Sequence, residues 1–419
     1  MSNDLNYIQY FNNIQYIPNN YINNLNYNNQ TYIIQKNNII PFRNIDNNID
    51  YKNFDNQIIP QNNYTNYNQN NMNNSIDNYD YLFKNNIDIR ENLCGIKNYG
   101  YNCYLNSGLQ ILVSCERFLE ELNKCYIANN RPLTTLLKDA LFQLQNVKKY
   151  DPKRFLTYFS AKNSEFYGVQ SCSQNFIRTL LKKVNEELLS TTNLITESQF
   201  YKPPINEEEL KNYYYFITSN KIFPETTLLS IFSGITKSYY LKNCDLCQKK
   251  LYNIEFSYFI DQNIYLDEFK SNTKYKFKDI LMKNFEKAEI KINCPYCNKE
   301  NIVSEETKII KLPEILIFTL ERYQGEYNDV QIETEDYIDV KNYVDTCLSN
   351  TKDTKIIYEL FAINIRLGKT KNFGHEICQV KRNGIWYEFN DEHYYVRTTL
   401  YNQNSYGLFY KRVFDIINY

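Results

Sequence analysis

Apolar residues recur at helical spacing in three stretches of the chain, and polar residues border each stretch. An apolar side chain at every third or fourth position forms one stripe along a helix, and burial of that stripe holds the helix against a core. We therefore predict three amphipathic helices at the start of the folded part of the chain. Their apolar positions are Leu105, Leu109, Leu112 and Val113; Leu133, Leu136, Leu137, Ala140, Leu141 and Leu144; and Phe176, Leu180, Leu181, Val184, Leu188 and Leu189.

Beyond Leu228 the pattern changes to short runs rich in Ile, Phe, Tyr and Val, which favour strands. Helices that precede a sheet, rather than alternate with its strands, are typical of an α+β fold. Residues 191–225 keep neither period and contain Pro203 and Pro204, which indicates an insertion or a long loop. The predicted strands cover residues 255–260, 308–311, 315–320, 358–367, 376–381 and 385–389.

Residues 1–88 are dominated by Asn, Tyr, Gln and Ile and show no sustained helical or strand period. Such a composition buries too little apolar surface to offset the entropy lost on folding. We therefore predict a low-complexity, disordered tail over residues 1–88 and one folded domain over residues 93–415. The tail is either an extension without a function of its own or a segment for interaction or self-association.

The charges and cysteines narrow the class of protein. Lys and Arg total 47 against 48 acidic residues, so we expect neither nucleic acid nor a membrane as a partner. The chain has 11 Cys, no apolar signal segment at its start and no apolar run that could span a bilayer. These features predict an intracellular protein with reduced thiols, cytoplasmic and/or nuclear, and we expect a monomer.

Residues 95–110 read GIKNYGYNCYLNSGLQ and place Cys103 at the expected start of the first helix. The thiolate is the nucleophilic form of cysteine, and the free N–H groups at a helix start favour negative charge. Gly95 and Gly100 permit tight turns ahead of the cysteine. Although a single cysteine is more often a small buried apolar residue, this setting indicates an acyl-transfer nucleophile. Three nearby side-chain amides are candidate donors to an oxyanion: Asn98, Asn102 and Asn106.

A thiol nucleophile needs an imidazole within hydrogen-bond reach, and the chain has only two histidines. His375 follows Gly374 and opens a strand-like run, whereas His393 lies just past a turn, and both histidines are candidate bases. A side-chain oxygen that accepts from one ring N–H leaves the other ring nitrogen free to take the thiol proton. Asn390 and Asp391 are both candidates for that orienting role.

Two Cys-x-x-Cys pairs supply four thiolates in a pattern that suits a tetrahedral structural Zn²⁺ site. Strand-like residues 255–260 and 263–269 lie between the pairs, which predicts an extended hairpin with tips joined by the metal. Two other interpretations are four unligated cysteines and redox-active pairs, but neither pair adjoins a thioredoxin-like unit. The predicted ligands are Cys244, Cys247, Cys294 and Cys297.

Residues 95–110 resemble the Cys box of ubiquitin-specific proteases, from which only Tyr101 and Asn102 clearly depart. Residues 358–412 resemble the His box of the same family through YELFAINI, the pair Gly374 and His375, WYEFND and the closing SYGLFYKR. The run KIIKLPEILIFTLERY resembles a strand of the family that lies between the two boxes. The resemblance therefore extends over nearly all of residues 93–412. The matching positions of the Cys box are Gly95, Asn98, Gly100, Cys103, Tyr104, Asn106, Ser107, Leu109 and Gln110.

The resemblance implies a papain-like cysteine protease of the α+β class, with a thumb, a palm and zinc-stapled fingers after the low-complexity tail. It implies Cys103 as nucleophile and His375 as general base. Asn390 would orient the imidazole, with Asp391 beside it as support or alternative, and Asn98 would stabilise the oxyanion. The implied activity is that of a deubiquitinating thiol isopeptidase, which hydrolyses the bond between the C-terminal glycine of ubiquitin and a lysine or peptide.

Two departures from the family pattern bear on the substrate. In residues 170–189 Cys172 and Asn175 replace two acidic residues that would pair with arginines of the ubiquitin tail. Glu321 and residues 333–339 are candidate substitutes. Glu376 replaces a tyrosine after the histidine, and we expect its charge near the imidazole.

Three other functions are alternatives to the isopeptidase. One is a catalytically weak or inactive ubiquitin-binding scaffold on the same fold, and another is a protease for a different ubiquitin-like modifier. Both stay open because the tail-binding segment is altered. A zinc-ribbon nucleic-acid binder is disfavoured by the balanced charge.

Overall fold

The computed structural model describes the backbone of three strands near the N-terminus and most of the chain from Leu93 onward. The described residues are 25–27, 30–35, 38–41, 93–125, 131–189, 225–324, 326–345, 355–368, 370, 374–401 and 403–413. The chain divides into two units, Met1–Tyr79 and Asp80–Tyr419. The domain boundaries drawn from the sequence stay predictions, and the predicted loop over residues 191–225 falls almost entirely outside the described residues.

The first unit contains a three-stranded antiparallel sheet. Its strands are β1 (Leu25–Tyr27), β2 (Gln30–Gln35) and β3 (Asn38–Pro41), in the order β1-β2-β3. The sequence pattern did not anticipate these strands, although β2 and β3 contain the β-branched residues that favour extended backbone. The predicted disorder of the rest of residues 1–88 falls outside the described residues and stays a prediction.

Seven helices are described in the second unit, and the three predicted amphipathic helices are among them. The helices are α1 (Cys103–Val113), α2 (Glu116–Lys124), α3 (Pro132–Asn146), α4 (Lys153–Lys162), α5 (Ser173–Leu189), α6 (Thr227–Ser230) and α7 (Phe277–Asn284). Short 3₁₀ turns occur at Ser164–Phe166 and Lys341–Tyr343. The sequence analysis identified α1, α3 and α5 and missed the shorter α2, α4, α6 and α7.

An eight-stranded mixed sheet forms the palm of the second unit. Its order is β20-β19-β18-β17-β21-β12-β8, and β16 pairs with β17 outside that path. All neighbours are antiparallel except β12 and β8. The strands are β8 (Asp261–Tyr265), β12 (Ile315–Glu321), β16 (Tyr337–Asp339), β17 (Ile357–Leu367), β18 (His375–Arg382), β19 (Ile385–Asn390), β20 (His393–Arg397) and β21 (Ser405–Arg412).

A four-stranded antiparallel sheet forms the fingers, in the order β10-β11-β6-β7. The strands are β6 (Gly234–Asn243), β7 (Lys250–Phe259), β10 (Ala288–Asn293) and β11 (Glu300–Lys311). The prediction of a single hairpin is wrong. Each cysteine pair lies at the tip of its own hairpin, and most of residues 263–269 belongs to β8 of the palm or follows it. Three small pairings complete the described strands: β4 (Gly95–Ile96) with β5 (Lys149–Tyr150), β9 (Lys274–Lys276) with β15 (Gln331–Glu333), and β13 (Tyr323–Gln324) with β14 (Glu326–Tyr327).

Both faces of the palm sheet are buried. One face packs on the helices through residues such as Cys378 and Phe389, and the other packs on α7 through Leu316 and Phe318. Helix α1 is buried along its whole length, between α5 and β18. In the described part of the second unit, no helix combines the length and apolar character that a membrane span needs. The fold therefore places the start of α1 beside the start of β18, under a layer of helices that forms the thumb.

Candidate active site and metal-binding cluster

Cys103 is the first residue of α1, and only 2% of its surface is exposed. Burial raises the pKa of its thiol to about 11, because a thiolate at this position loses its hydration. The backbone N–H groups of Glu376 and Tyr104 act in the opposite sense and lower that pKa. The thiol is therefore protonated at neutral pH, and attack on a carbonyl requires a base.

The loop ahead of the thiol is held in one conformation by side-chain amides. Gly100 has a φ of +94°, which side chains with a Cβ rarely adopt. Asn98 Oδ1 accepts from the N–H of Gly100 at 2.7 Å. Asn102 is fully buried, accepts from the N–H of Tyr99 at 2.6 Å and donates to the carbonyl of Lys97 at 3.1 Å. These bonds fix the direction of the Asn98 amide nitrogen.

His375 opens β18, and its ring contacts Asn390 at the end of β19. The distance from His375 Nε2 to Asn390 Oδ1 is 2.8 Å, whereas Asp391 Oδ2 lies 3.8 Å from the same nitrogen. Because an amide oxygen only accepts hydrogen bonds, this contact assigns the proton to Nε2 and leaves a lone pair on Nδ1. Of the two residues predicted to orient the imidazole, Asn390 is the one in hydrogen-bond contact.

The carboxylate of Asp391 instead binds the amides on the nucleophile side of the site. It accepts from Asn98 Nδ2 through Oδ2 and from Asn106 Nδ2 through Oδ1, both at 2.7 Å. The backbone carbonyl of Asp391 accepts from the N–H of Ile96 at 2.8 Å. The turn after β19 is thus joined to the loop before α1 and to α1 itself.

The three candidate oxyanion donors differ in their hydrogen bonds. Asn102 and Asn106 use their amide groups inside the protein, because Asn102 donates to Asn106 Oδ1 at 2.9 Å and Asn106 donates to Asp391. Asn98 also donates to Asp391, but its amide nitrogen carries a second hydrogen. Asn102 and Asn106 are thus engaged in hydrogen bonds within the protein, and the oxyanion role of Asn98 stays a prediction.

Two further expectations from the sequence concern His393 and Glu376. His393 is exposed at the start of β20, whereas Cys103 is buried at the start of α1. The Glu376 carboxylate binds Ser173 and Arg366, and the expectation that its charge lies near the imidazole stays a prediction. The sequence analysis identified neither of these two partners, since neither carries a signal of its own.

Residues 170–189, in which Cys172 and Asn175 replace two acidic residues of the family pattern, contain α5 and the three residues before it. Cys172 directly precedes α5, and the first turn of the helix contains no acidic residue. Glu321 ends β12, and residues 333–339 lie around β15 and β16. Their service as substitute carboxylates stays a prediction.

The four predicted metal ligands lie together at the finger tips. Their sulfur atoms all lie within 4.8 Å of one another, and the distances from Cys244 to Cys297 and from Cys247 to Cys294 are both 3.6 Å. This spacing and donor set fit a tetrahedral metal ion.

The two cysteine turns share one conformation that suits thiolate ligands. The N–H of Cys244 donates to the Lys249 carbonyl at 2.8 Å, and the N–H of Cys294 donates to the Lys299 carbonyl at 2.9 Å. Gln248 and Asn298 occupy equivalent positions with φ of 57° and 58°. Backbone N–H groups, that of Cys247 above all, lower the pKa of the Cys244 thiol. The cluster can therefore bind a metal ion through thiolates.

Comparison with known proteins agrees with this arrangement. The family model "Ubiquitin carboxyl-terminal hydrolase" matches residues 94–410. Ubiquitin carboxyl-terminal hydrolase 4 of Arabidopsis thaliana is 28% identical over 327 residues, which cover 72% of this chain and 84% of that protein. Ubiquitin carboxyl-terminal hydrolase 12 of Salmo salar is 25% identical over 354 residues, which cover 77% and 90%.

Among solved structures, the fold is similar to that of the SAGA Ubp8/Sgf11/Sus1/Sgf73 DUB module bound to ubiquitin aldehyde. The TM-score is 0.58 at 20% identity, and the match covers 83% of this chain and 76% of that chain. A cysteine at a helix start, a histidine oriented by an amide, and a thumb, palm and fingers around them define a papain-like thiol hydrolase. The chain belongs to the ubiquitin carboxyl-terminal hydrolase family, which comprises cysteine-type deubiquitinating enzymes.

Proposed function

We propose that this chain is a deubiquitinating isopeptidase in which Cys103 attacks the carbonyl carbon at the C-terminal glycine of ubiquitin. His375 Nδ1 takes the thiol proton as the sulfur–carbon bond forms and returns it to the departing lysine amine. Water then attacks the thioester with His375 again as base, which releases the carboxylate of ubiquitin and the free thiol. Cysteine-type hydrolysis needs no cofactor at the reacting atoms.

The contact between His375 and Asn390 carries this proposal. A 2.8 Å bond at Nε2 fixes the imidazole in the tautomer with a basic Nδ1. The Cys103 thiol requires such a base because its raised pKa keeps it protonated. The second amide hydrogen of Asn98 and the free N–H groups at the start of α1 are the donors proposed for the oxyanion.

The proposal extends to the metal and to the partners. Four thiolates select Zn²⁺ over harder cations, and a closed Cys₄ site is structural, so Zn²⁺ would join the two finger hairpins. Ubiquitin or a related modifier, attached to target proteins, is the proposed partner of a monomeric enzyme. An intracellular location, cytoplasmic and/or nuclear, agrees with the reduced thiols that catalysis and zinc binding need.

A ubiquitin probe with a C-terminal electrophile tests the activity. We expect covalent labelling of the wild type and none of Cys103→Ala, with Cys125→Ser as the matched control because Cys125 lies outside the site. Probes built on other ubiquitin-like modifiers, used in parallel, determine which modifier is the substrate. A wild-type protein that binds ubiquitin but is not labelled by the probe would contradict the proposed isopeptidase activity. That result would support an inactive ubiquitin-binding scaffold.

A further inference from the structure

Glu376 directly follows the proposed base, yet the chemistry above does not use its side chain. The residue is 1% exposed, and a carboxylate so deeply buried is stable only with several donors around it. Its Oε2 accepts from the N–H and the hydroxyl of Ser173, at 2.8 Å and 2.5 Å, and from Asn364 Nδ2 at 3.2 Å. Its Oε1 accepts from Arg366 Nη1 at 2.9 Å.

These partners join Glu376 to the start of α5. Ser173 is the first residue of that helix, and the first turn contains no acidic residue. The positive end of a helix dipole favours an anion, and here the anion comes from β18 rather than from the helix itself. The attraction between the Glu376 carboxylate and the start of α5, together with two hydrogen bonds from Ser173, therefore fixes β18 against α5.

The same point of β18 contacts the nucleophile helix. Against the larger effect of burial, the backbone N–H of Glu376 lowers the pKa of the Cys103 thiol, which places this part of β18 next to the nucleophile. The Ser173 hydroxyl lies 2.9 Å from the carbonyl oxygen of Tyr104, the second residue of α1. The start of α1, the start of α5 and the start of β18 therefore meet at one buried carboxylate.

Arg366 extends this network toward the neighbouring loops. Its guanidinium also donates to the carbonyl of Ser171 at 3.3 Å and lies 5.8 Å from the ring centre of Tyr323. Arg366 and Glu376 are opposite each other in the β17–β18 register, and their side chains are 6% and 0% exposed. Removal of either charge leaves the other buried without its ionic partner.

We propose that Glu376 is a positioning residue, which acts with Arg366 and Ser173 to fix β18 against α1 and so to hold His375 within reach of Cys103. The inference rests on the hydrolase activity proposed above and concerns the geometry of that site. A displacement of about 1 Å between reacting groups lowers the rate by up to about 100-fold, so a network that fixes this distance acts on kcat.

Glu376→Gln tests the proposal, with Glu359→Gln as the matched control. Glu359 lies on the same strand pair, where it binds Lys381 at 2.9 Å far from the site. We expect kcat with a fluorogenic ubiquitin substrate to fall at least about 10-fold in Glu376→Gln with KM within about twofold, and the control to keep both constants.

The rate at which iodoacetamide alkylates Cys103 distinguishes an effect on the position of His375 from an effect of the lost Glu376 charge. Loss of a negative charge alone lowers the pKa of the thiol and speeds alkylation at neutral pH, whereas loss of the base from its position slows it. We expect slower alkylation in Glu376→Gln. The double variant Glu376→Gln with Arg366→Gln leaves no buried unpaired charge, and we expect it to regain thermal stability but not kcat.

The proposal is overturned if folded Glu376→Gln keeps the wild-type kcat and alkylation rate, or if only its KM changes. It is also overturned if kcat falls as much in Glu359→Gln as in Glu376→Gln. If the single variant does not fold, the same criteria apply to the double variant. Alkylation needs no ubiquitin. A wild-type protein that cleaves no modifier therefore contradicts the proposed function, while the alkylation comparison still decides the role of Glu376.

Discussion

Asp391 Oδ2 accepts a hydrogen bond of 2.7 Å from the side-chain nitrogen of Asn98, across 293 residues of sequence. The residue beside the imidazole partner thus holds the proposed oxyanion donor rather than the imidazole itself. The other oxygen of the same carboxylate binds Asn106 in α1. One carboxylate therefore joins the turn that follows Asn390 to the loop before α1 and to α1 itself.

Asp391→Asn is expected to lower kcat by about 10- to 100-fold, because an amide has one acceptor oxygen where the carboxylate has two. Steady-state kinetics with a fluorogenic ubiquitin substrate measure the effect. Asp151→Asn is the matched control: Asp151 is a surface carboxylate that binds Tyr99 of the same loop at 2.7 Å. We expect that variant to stay within about twofold of the wild type, and equal losses in both variants would contradict the role of Asp391.

Asn390→Ala is expected to lower kcat by about 10-fold or more, with KM nearly unchanged, because the imidazole loses the acceptor that fixes its tautomer. Kinetics and alkylation of Cys103 at neutral pH both report the effect. His393→Ala is the control, since that histidine is exposed in β20. An Asn390→Ala enzyme with full activity would show that Asp391 can accept the hydrogen bond from the imidazole in place of Asn390.

The buried thiols predict a loss of stability at alkaline pH. Burial raises the pKa of the Cys94, Cys115 and Cys378 thiols to about 12, against an ordinary value of 9.0. Above about pH 9 the unfolded chain releases these protons while the folded chain keeps them. The free energy of unfolding therefore falls as pH rises, by up to about 1.4 kcal/mol per pH unit for each thiol.

Urea unfolding between about pH 7.5 and about pH 11 measures this slope. The wild type is compared with Cys115→Ala, in which one buried thiol is absent. We expect a plateau below about pH 9 and a shallower alkaline decline in the variant. Identical slopes in the two proteins would contradict the assignment.

Cys247→Ser is expected to release bound Zn²⁺ and to unfold the finger tips, because a hydroxyl is a poor replacement for a thiolate ligand. Metal analysis of the purified protein and hydrogen exchange in β6, β7, β10 and β11 measure the two effects. Cys125→Ser is the matched control and should keep one Zn²⁺ per chain. A folded wild type without zinc would contradict the metal assignment.

The sequence predicted those parts of the molecule whose signals are local. Apolar periods located α1, α3 and α5, because each helix has apolar residues at every third or fourth position. Runs of β-branched and aromatic residues located β12 and β17 to β19 almost completely, but only the C-terminal parts of β7 and β11. Short elements such as α2 and α4 escaped because they contain too few turns to establish a period.

The sequence alone determined which residue types carry the chemistry: one cysteine in a turn-rich segment at a helix start, two histidines, and four cysteines in two close pairs. Only the tertiary structure decided how they are used. It put Asn390 rather than Asp391 on the imidazole, turned Asp391 toward Asn98 and Asn106, and buried Glu376 against α5. These choices depend on strand register and on side-chain directions, for Asp391 and Glu376 between segments more than two hundred residues apart, and no local pattern encodes them.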